Sequence, residues 1–239
     1  MLTIAIQKSG RLHDNTISLF KECGLAFDNG GHHRLKMHAV NFPLQVLFLR
    51  DDDIPECIDD GAADAGIVGE NVVKEKNKKM ALAEKLGFAK CRLSISLPKQ
   101  KSYRNVRDLN NLKIATSYPN ILRKYLKSKN VKATIHEING SVEIAPGIGL
   151  ADSIFDIVST GSTLLTNGLK EVETVLKSQA VLIANKELSE EKQEILNKLL
   201  FRIRAVKRSS ENNYILLNAP DDAIKNISKI LGPSTLTMT

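Results

Sequence analysis

Short apolar runs recur along the chain with polar, helix-patterned stretches between them. "LTIAIQ", "QVLFLR", "AGIVG", "RLSISLP", "LKIATS", "KATIHEI", "FDIVST", "AVLIAN" and "YILLNAP" each read as a strand. In "SEEKQEILNKLLFRIRAV", Ile195, Leu196, Leu199, Leu200 and Ile203 repeat at helical spacing, which predicts an amphipathic helix with one buried stripe. Strands alternating with helices predict an α/β protein with largely parallel sheets. In such folds ligands gather at the carboxyl ends of the strands.

Two segments echo each other. "GAADAGIVGENV" (Gly61 to Val72) and "GLADSIFDIVSTGST" (Gly149 to Thr163) share an Ala-Asp pair, an apolar strand and a glycine loop. Any βαβ unit has something of this form, but the echo also fits two similar lobes facing a cleft. The polar, basic "SLPKQKSYRNVRDLN" breaks the apolar rhythm and marks a boundary. The expected division is residues 1–93 plus 184–239 for one lobe and 94–183 for the other.

A formal charge of +7 and a pI near 9.2 call for an anionic partner. Single-stranded nucleic acid needs exposed aromatics in a basic groove. Phe20, Phe27, Phe42, Phe48, Phe88, Phe155 and Phe201 mostly sit in apolar runs instead, so a small phosphorylated molecule is favoured over nucleic acid. Cys23, Cys57 and Cys91 are an odd, scattered set without a CxxC pair, as expected of reduced thiols in a cytoplasmic protein. No apolar run is long enough to cross a membrane, and "MLTIAIQ" reads as a strand rather than a signal segment. His32 and His33 are adjacent and cannot share a helix face as a zinc pair would.

The richest candidate for chemistry is "DIVSTGSTL", where Ser159, Thr160, Ser162 and Thr163 surround Gly161 at the end of an expected strand. Backbone N–H groups and hydroxyls at such a place make an anion cradle. A helix cap would need only one hydroxyl. Asp156 would repel a phosphate, but it can accept from ribose hydroxyls or help a metal ion. The segment therefore predicts a sugar-phosphate seat. In "IQKSGRL", Lys8 and Arg11 flank the flexible Ser9-Gly10, a pair that fits a polyphosphate or a plain βα turn with solvated charges. In "RDDDIP", Arg50 reads as a ligand-facing cation, Asp53 as a helix cap followed by Pro55, and Asp51 and Asp52 as solvated surface. Glu70 stands at another strand end, and Arg92 near the crossing between the lobes. Tyr118 precedes the helix-starting Pro119, placed either to stack on a base or to be half-buried. Glu143 follows Gly140 and Ser141 in the first turn of an expected helix.

Taken together, "IQKSGRL", "RDDDIP", "GAADAGIVGENV", "CRLSISLP", "IATSYPN", "GSVEIAPGIGLAD" and "DIVSTGSTLLTNGL" resemble the ATP phosphoribosyltransferase family of histidine biosynthesis. The resemblance implies a two-lobed fold similar to periplasmic binding proteins, with a central cleft. It also implies a reaction joining ATP, through adenine N1, to the anomeric carbon of phosphoribosyl pyrophosphate. On that basis Ser159 to Thr163 would take the 5′-phosphate and Asp156 the ribose, with Glu143 beside them. Lys8, Arg11 and Arg50 would meet pyrophosphate or ATP phosphates. Gly10, Glu70, Arg92 and Tyr118 would serve ATP. Mg2+ would arrive with the substrates rather than in a protein site. The chain matches the long form of the family and stops where that form's C-terminal regulatory domain would begin. A catalytic core lacking that domain, and a homodimer, are expected. The alternatives are a non-catalytic two-lobed binding protein for an anionic metabolite and a silent regulatory subunit.

Overall fold

The computed structural model describes residues 1–28, 35–78 and 80–211, together with Pro220, Ala223, Asn226 and Lys229. The chain divides into a compact unit, Met1–Val206, and a second, Lys207–Thr239. Every candidate site residue belongs to the first unit. His32, His33 and, apart from Pro220, the strand expected from "YILLNAP" lie outside the described residues.

Two sheets organise the first unit. One has the order β2-β3-β1-β4-β11-β5 and is built from β1 (Leu2–Gln7), β2 (Lys36–His38), β3 (Leu44–Leu49), β4 (Ala65–Gly69), β5 (Ala81–Lys85) and β11 (Ala180–Ala184). The second has the order β10-β6-β9-β7-β8, from β6 (Cys91–Pro98), β7 (Lys113–Thr116), β8 (Thr134–Glu137), β9 (Ser153–Val158) and β10 (Leu169–Ser178). The apolar pattern misses β2, β5 and β10. All three are sheet edges, where short length and charged side chains suit a strand with one open side.

The sheets are mixed, not largely parallel. In each a parallel triplet forms, β3-β1-β4 and β8-β7-β9. Next to it lies a strand that has crossed from the other sheet, β11 beside β4 and β6 beside β9, and both pair antiparallel. A strand arriving from the opposite lobe enters from the far end, so it runs against the triplet and needs no helical crossover. The sheets change over at residues 86–90 and at Gln179. All of Cys91–Pro98 therefore lies in the second sheet and all of Ala180–Ala184 in the first, a few residues from the expected boundaries at 93/94 and 183/184.

The sequence echo has a structural counterpart. Asp64, just before β4, accepts the N–H of Thr3 on β1 at 2.8 Å, and its own N–H returns to the Thr3 carbonyl. Asp152, just before β9, does the same with Lys113 on β7 at 2.9 Å. Each aspartate locks the start of one parallel strand to its neighbour, so the same residue type recurs at the same structural position in both lobes.

Strand alternation assigns the core. Leu2, Ile4 and Ile6 face α1 (Arg11–Glu22) and α6 (Glu190–Glu211), where Leu19, Phe20, Leu196, Leu199 and Ile203 are buried. Ala5 and Val68 face α2 (Ile54–Asp59) and α3 (Glu70–Lys76) through Ile54, Ile58 and Val72. In the second sheet Ile95, Ile114 and Phe155 meet α4 (Pro119–Ser128), and Ile154 and Val158 meet Leu164 of α5 (Ser162–Thr166). Phe20, Phe42 and Phe155 are core, whereas Phe201 is 74% exposed on α6.

A buried carboxylate helps tie the lobes outside the strands. Glu75 of α3 is buried, and its carboxylate accepts the N–H groups of Asn120 at 2.8 Å and Ile121 at 2.9 Å, capping α4 from across the lobe boundary. Those donors have no partner within their own helix. Glu75→Ala should cost about 2–3 kcal/mol, seen as a fall of roughly 4–12 °C in thermal melting. An unchanged melting temperature would mean the cap contributes nothing.

Candidate active site

The parallel triplets point their carboxyl ends at one region. In the first lobe these ends carry Lys8 (after β1), Arg50 (after β3) and Glu70 (after β4). In the second they carry Tyr118 (after β7), Glu143 (after β8) and Ser159 (after β9). The register pairs Gln7 with Leu49, and Lys8 N–H bonds the Leu49 carbonyl at 2.9 Å, so Lys8 and Arg50 leave adjacent strands side by side. Gly10 adopts φ 91°, turning the chain sharply so that α1 opens on Arg11.

Around Arg50 the detail departs from expectation. Asp51–Asp53 forms a 3-10 turn that runs directly into α2. Asp53 is therefore already helical, at φ −85° and ψ −21°, and makes no capping bond, while Pro55 does occupy the first turn. Asp51 is half-buried rather than solvated. Burial, and then the charge of Asp52, raise its carboxyl above the usual range. Glu143 belongs to a short 3-10 turn, Val142–Ile144, and not to a longer helix.

The hydroxyl loop is not a helix cap. The cap position of α5 is Gly161, at φ 87°, and no side chain caps it. A Cβ there would meet nothing closer than Val158 at 3.9 Å, so within the protein the backbone angle, not space, calls for glycine. Thr160 and Ser162 place their hydroxyls 3.0 Å apart, and Thr160, Ser162 and Thr163 are exposed. Across the cleft, Arg11 Nη1 donates to Ser159 Oγ at 3.3 Å. Arg92 Nη1 donates to the Ser159 carbonyl at 3.2 Å, and its Nε and Nη2 grip Glu171 at 2.6 and 2.5 Å.

Behind the loop, Asp156 lies on β9 opposite Ser94 of β6. Burial lifts its carboxyl to about 6. Glu143 nearby adds to the rise and the Ile157 N–H opposes it. Tyr118 accepts from Asn71 Nδ2 at 3.2 Å. Its hydroxyl is pushed well above the ordinary phenol range, first by burial and then by the carboxylates of Asp156 and Asp51. Asn71 is buried and held by Ser178, which accepts its N–H at 3.0 Å and donates to its Oδ1 at 2.8 Å.

A cavity of about 560 Å³ brings Glu70, Arg92 and Ser159 together with Lys74, Lys90 and Lys177. Glu70 accepts from Lys74 at 2.9 Å and lies 3.8 Å from Lys85. The sequence reading missed these lysines, together with Asn71, Glu75 and Glu171. They sit on the crossing strands, their flanks and α3, and look like surface charge until the lobes are assembled. A second cavity, of about 520 Å³, contains Lys101, Lys113 and Asp152 but none of the candidates. Its Asp152 is occupied by the Lys113 N–H and by Lys101 at 3.5 Å.

Among the described residues, no three His, Cys, Asp or Glu side chains stand close enough together to hold a metal ion. None of the described helices is long and apolar enough to cross a membrane.

The sequence profile described as "HisG: ATP phosphoribosyltransferase" matches residues 50–205. The chain belongs to the ATP phosphoribosyltransferase family. An ATP phosphoribosyltransferase from Cytophaga hutchinsonii is 59% identical over 97% of this chain and 80% of its own length. The solved ATP phosphoribosyl transferase (HisG:HisZ) complex from Thermotoga maritima contains a chain that superposes with a TM-score of 0.74. That match has 27% identity and covers 87% of this chain and 99% of that one. A substrate binding protein of an amino acid ABC transporter matches with a TM-score of 0.59 and 12% identity, over 88% of this chain and 94% of its own. At that identity the likeness is one of fold, and it is the two-lobed fold with a central cleft that the resemblance implied. Family membership favours an enzyme over a binding protein or a silent subunit.

Proposed function

We propose that the chain joins ATP to 5-phosphoribosyl 1-pyrophosphate, forming phosphoribosyl-ATP and pyrophosphate in the first step of histidine biosynthesis. The observation that carries the assignment of residues is the Arg11–Ser159 contact at 3.3 Å. It joins the cationic turn of one lobe to the hydroxyl loop of the other. Ser159 to Thr163 take the 5′-phosphate through hydroxyls and N–H groups. Asp156 accepts from the ribose hydroxyls, with Glu143 and Tyr118 beside it. Lys8, Arg11 and Arg50 face the pyrophosphate, and the lysine-lined cavity next to Glu70 receives the ATP phosphates.

In the reaction the adenine N1 lone pair forms a bond to the anomeric carbon as the carbon–oxygen bond to pyrophosphate breaks. The electron pair of that bond leaves with the pyrophosphate. N1 is unprotonated at neutral pH, so no side chain needs to remove a proton before attack. The protein instead aligns the two substrates and offsets the leaving charge with fixed cations. Mg2+ would be carried by the polyphosphate substrates and would supply charge neutralisation on them. Lobe closure excludes water, which competes for the ribosyl carbon.

Thr160→Ala tests the loop. The KM for phosphoribosyl pyrophosphate should rise about tenfold, the value of one hydrogen bond to a charged group, while the KM for ATP stays within about twofold. Product formation is followed by ultraviolet absorbance. Unchanged KM values for both substrates would remove the phosphate from this loop. A homodimer is the proposed assembly, read by light scattering. Cytoplasmic residence fits the three free cysteines.

A further inference from the structure

We infer that Arg92 and Glu171 form a positioning brace that sets the phosphate loop, with Arg92 acting through the Ser159 carbonyl rather than on ATP. The inference rests on the loop being the phosphate seat. Three observations carry it. The first is the geometry of the grip. Arg92 spends Nε and Nη2 on the two oxygens of Glu171 and turns Nη1 to the carbonyl of Ser159, the first residue of the loop. A peptide is planar and its C=O and N–H point in opposite directions. Holding the Ser159 carbonyl therefore fixes the direction of the Thr160 N–H, which leads the row of loop donors.

The second observation is that the brace is anchored. Glu171 Oε1 also accepts from Ser94 Oγ at 2.7 Å and from Thr174 Oγ1 at 3.1 Å. With four donors converging on it, led by Arg92, the carboxyl is held down at about 2 and stays ionised throughout the working pH range. A fork-shaped cation on a pre-oriented carboxylate has little rotational freedom left.

The third is the backbone that aims it. The β10–β6 register shifts between Glu171 and Glu173. Without that bulge the two acids would share a face. With it, Glu171 turns to the Arg92 and Ser94 side of β6, the side that pairs with Asp156 and Val158 on β9. Glu173 turns the other way, to Tyr103 and Tyr125. Bulges that re-aim a side chain beside a site are a known device of sheets.

The test compares Arg92→Lys, Glu171→Gln, the double variant and Thr160→Ala by KM for each substrate, with thermal melting to confirm folding. Lysine keeps the charge but cannot grip Glu171 and the carbonyl at once; glutamine keeps the shape without the charge. Each should raise the KM for phosphoribosyl pyrophosphate about five- to tenfold, leaving the ATP KM within about twofold. The double variant should do no worse than either single, because both break one unit. A raised ATP KM in Arg92→Lys with Glu171→Gln silent would overturn the brace and make Arg92 an ATP contact. Silence of both with Thr160→Ala still impaired would overturn the brace alone. A silent Thr160→Ala beside impaired Arg92→Lys and Glu171→Gln would overturn the phosphate seat, and with it the reason for the brace.

Discussion

Arg11→Ala is expected to lower kcat by about 10²–10³-fold at saturating substrates while leaving the protein slightly more stable. The two effects have one origin. Arg11 is the first residue of α1, at the positive end of the helix dipole, where a cation costs about 0.3–1 kcal/mol. Local stability therefore gives no reason for arginine at this position. Its reach to Ser159 across the cleft puts a permanent charge, reinforced by the helix end, where pyrophosphate is proposed to depart. Such a charge acts more strongly on the transition state than on the bound substrate, so the loss should fall on kcat more than on KM. Arg11→Lys should recover part of the rate. Steady-state kinetics beside thermal melts measure both effects, and a kcat within about threefold of the parent would take Arg11 out of the reaction.

Asp156→Asn should also split activity from stability. The folded protein raises this carboxyl from 3.8 to about 6, so the ionised form is disfavoured in the fold. At about 1.4 kcal/mol per unit of pKa, the penalty is roughly 3 kcal/mol above pH 6. It is relieved as the pH falls from about 6 towards 4, because the folded state takes up its proton before the unfolded chain does. Asparagine removes the penalty, so the variant should melt higher at pH 7.5, and the difference should shrink towards pH 4.5. Function runs the other way. With Asp156 on the ribose hydroxyls, as proposed, replacing its charged acceptor by an amide should lower kcat/KM for phosphoribosyl pyrophosphate about 10–100-fold. In the parent enzyme it should decline as pH drops below about 6. Substrate phosphate groups titrate nearby, but they do so in parent and variant alike, so only the difference between the two profiles reports Asp156. Matching profiles would leave the aspartate without a part in binding.

Several elements were legible from residues alone. The apolar runs place eight of the strands, because a buried strand must be apolar on at least one face whatever surrounds it. The Ala-Asp echo coincides with the same aspartate lock in both lobes, each joining a side chain to an N–H near the start of the neighbouring strand, 61 residues away for Asp64 and 39 for Asp152. The edge strands were not legible. In β10, Lys170, Glu171, Glu173 and Lys177 interrupt any alternation, and the bulge that sends Glu171 and Glu173 to opposite faces leaves no mark in composition. Asp51 was misread as solvated surface because three consecutive acids look the same whether or not the fold covers the first of them.

Chain order alone was enough for the α/β class, the strand ends that carry Lys8, Arg50, Glu70, Tyr118 and Ser159, and the hydroxyl loop itself, since each depends on neighbours within a few residues. Tertiary structure decided which of these groups meet: Arg11 with Ser159 at a separation of 148 residues, Arg92 with Glu171 at 79, and Glu75 with the start of α4. It also decided that the strands crossing between lobes run antiparallel to their triplets. Contacts of that range are set by how two sheets share one chain, and hydrophobic spacing carries no record of them.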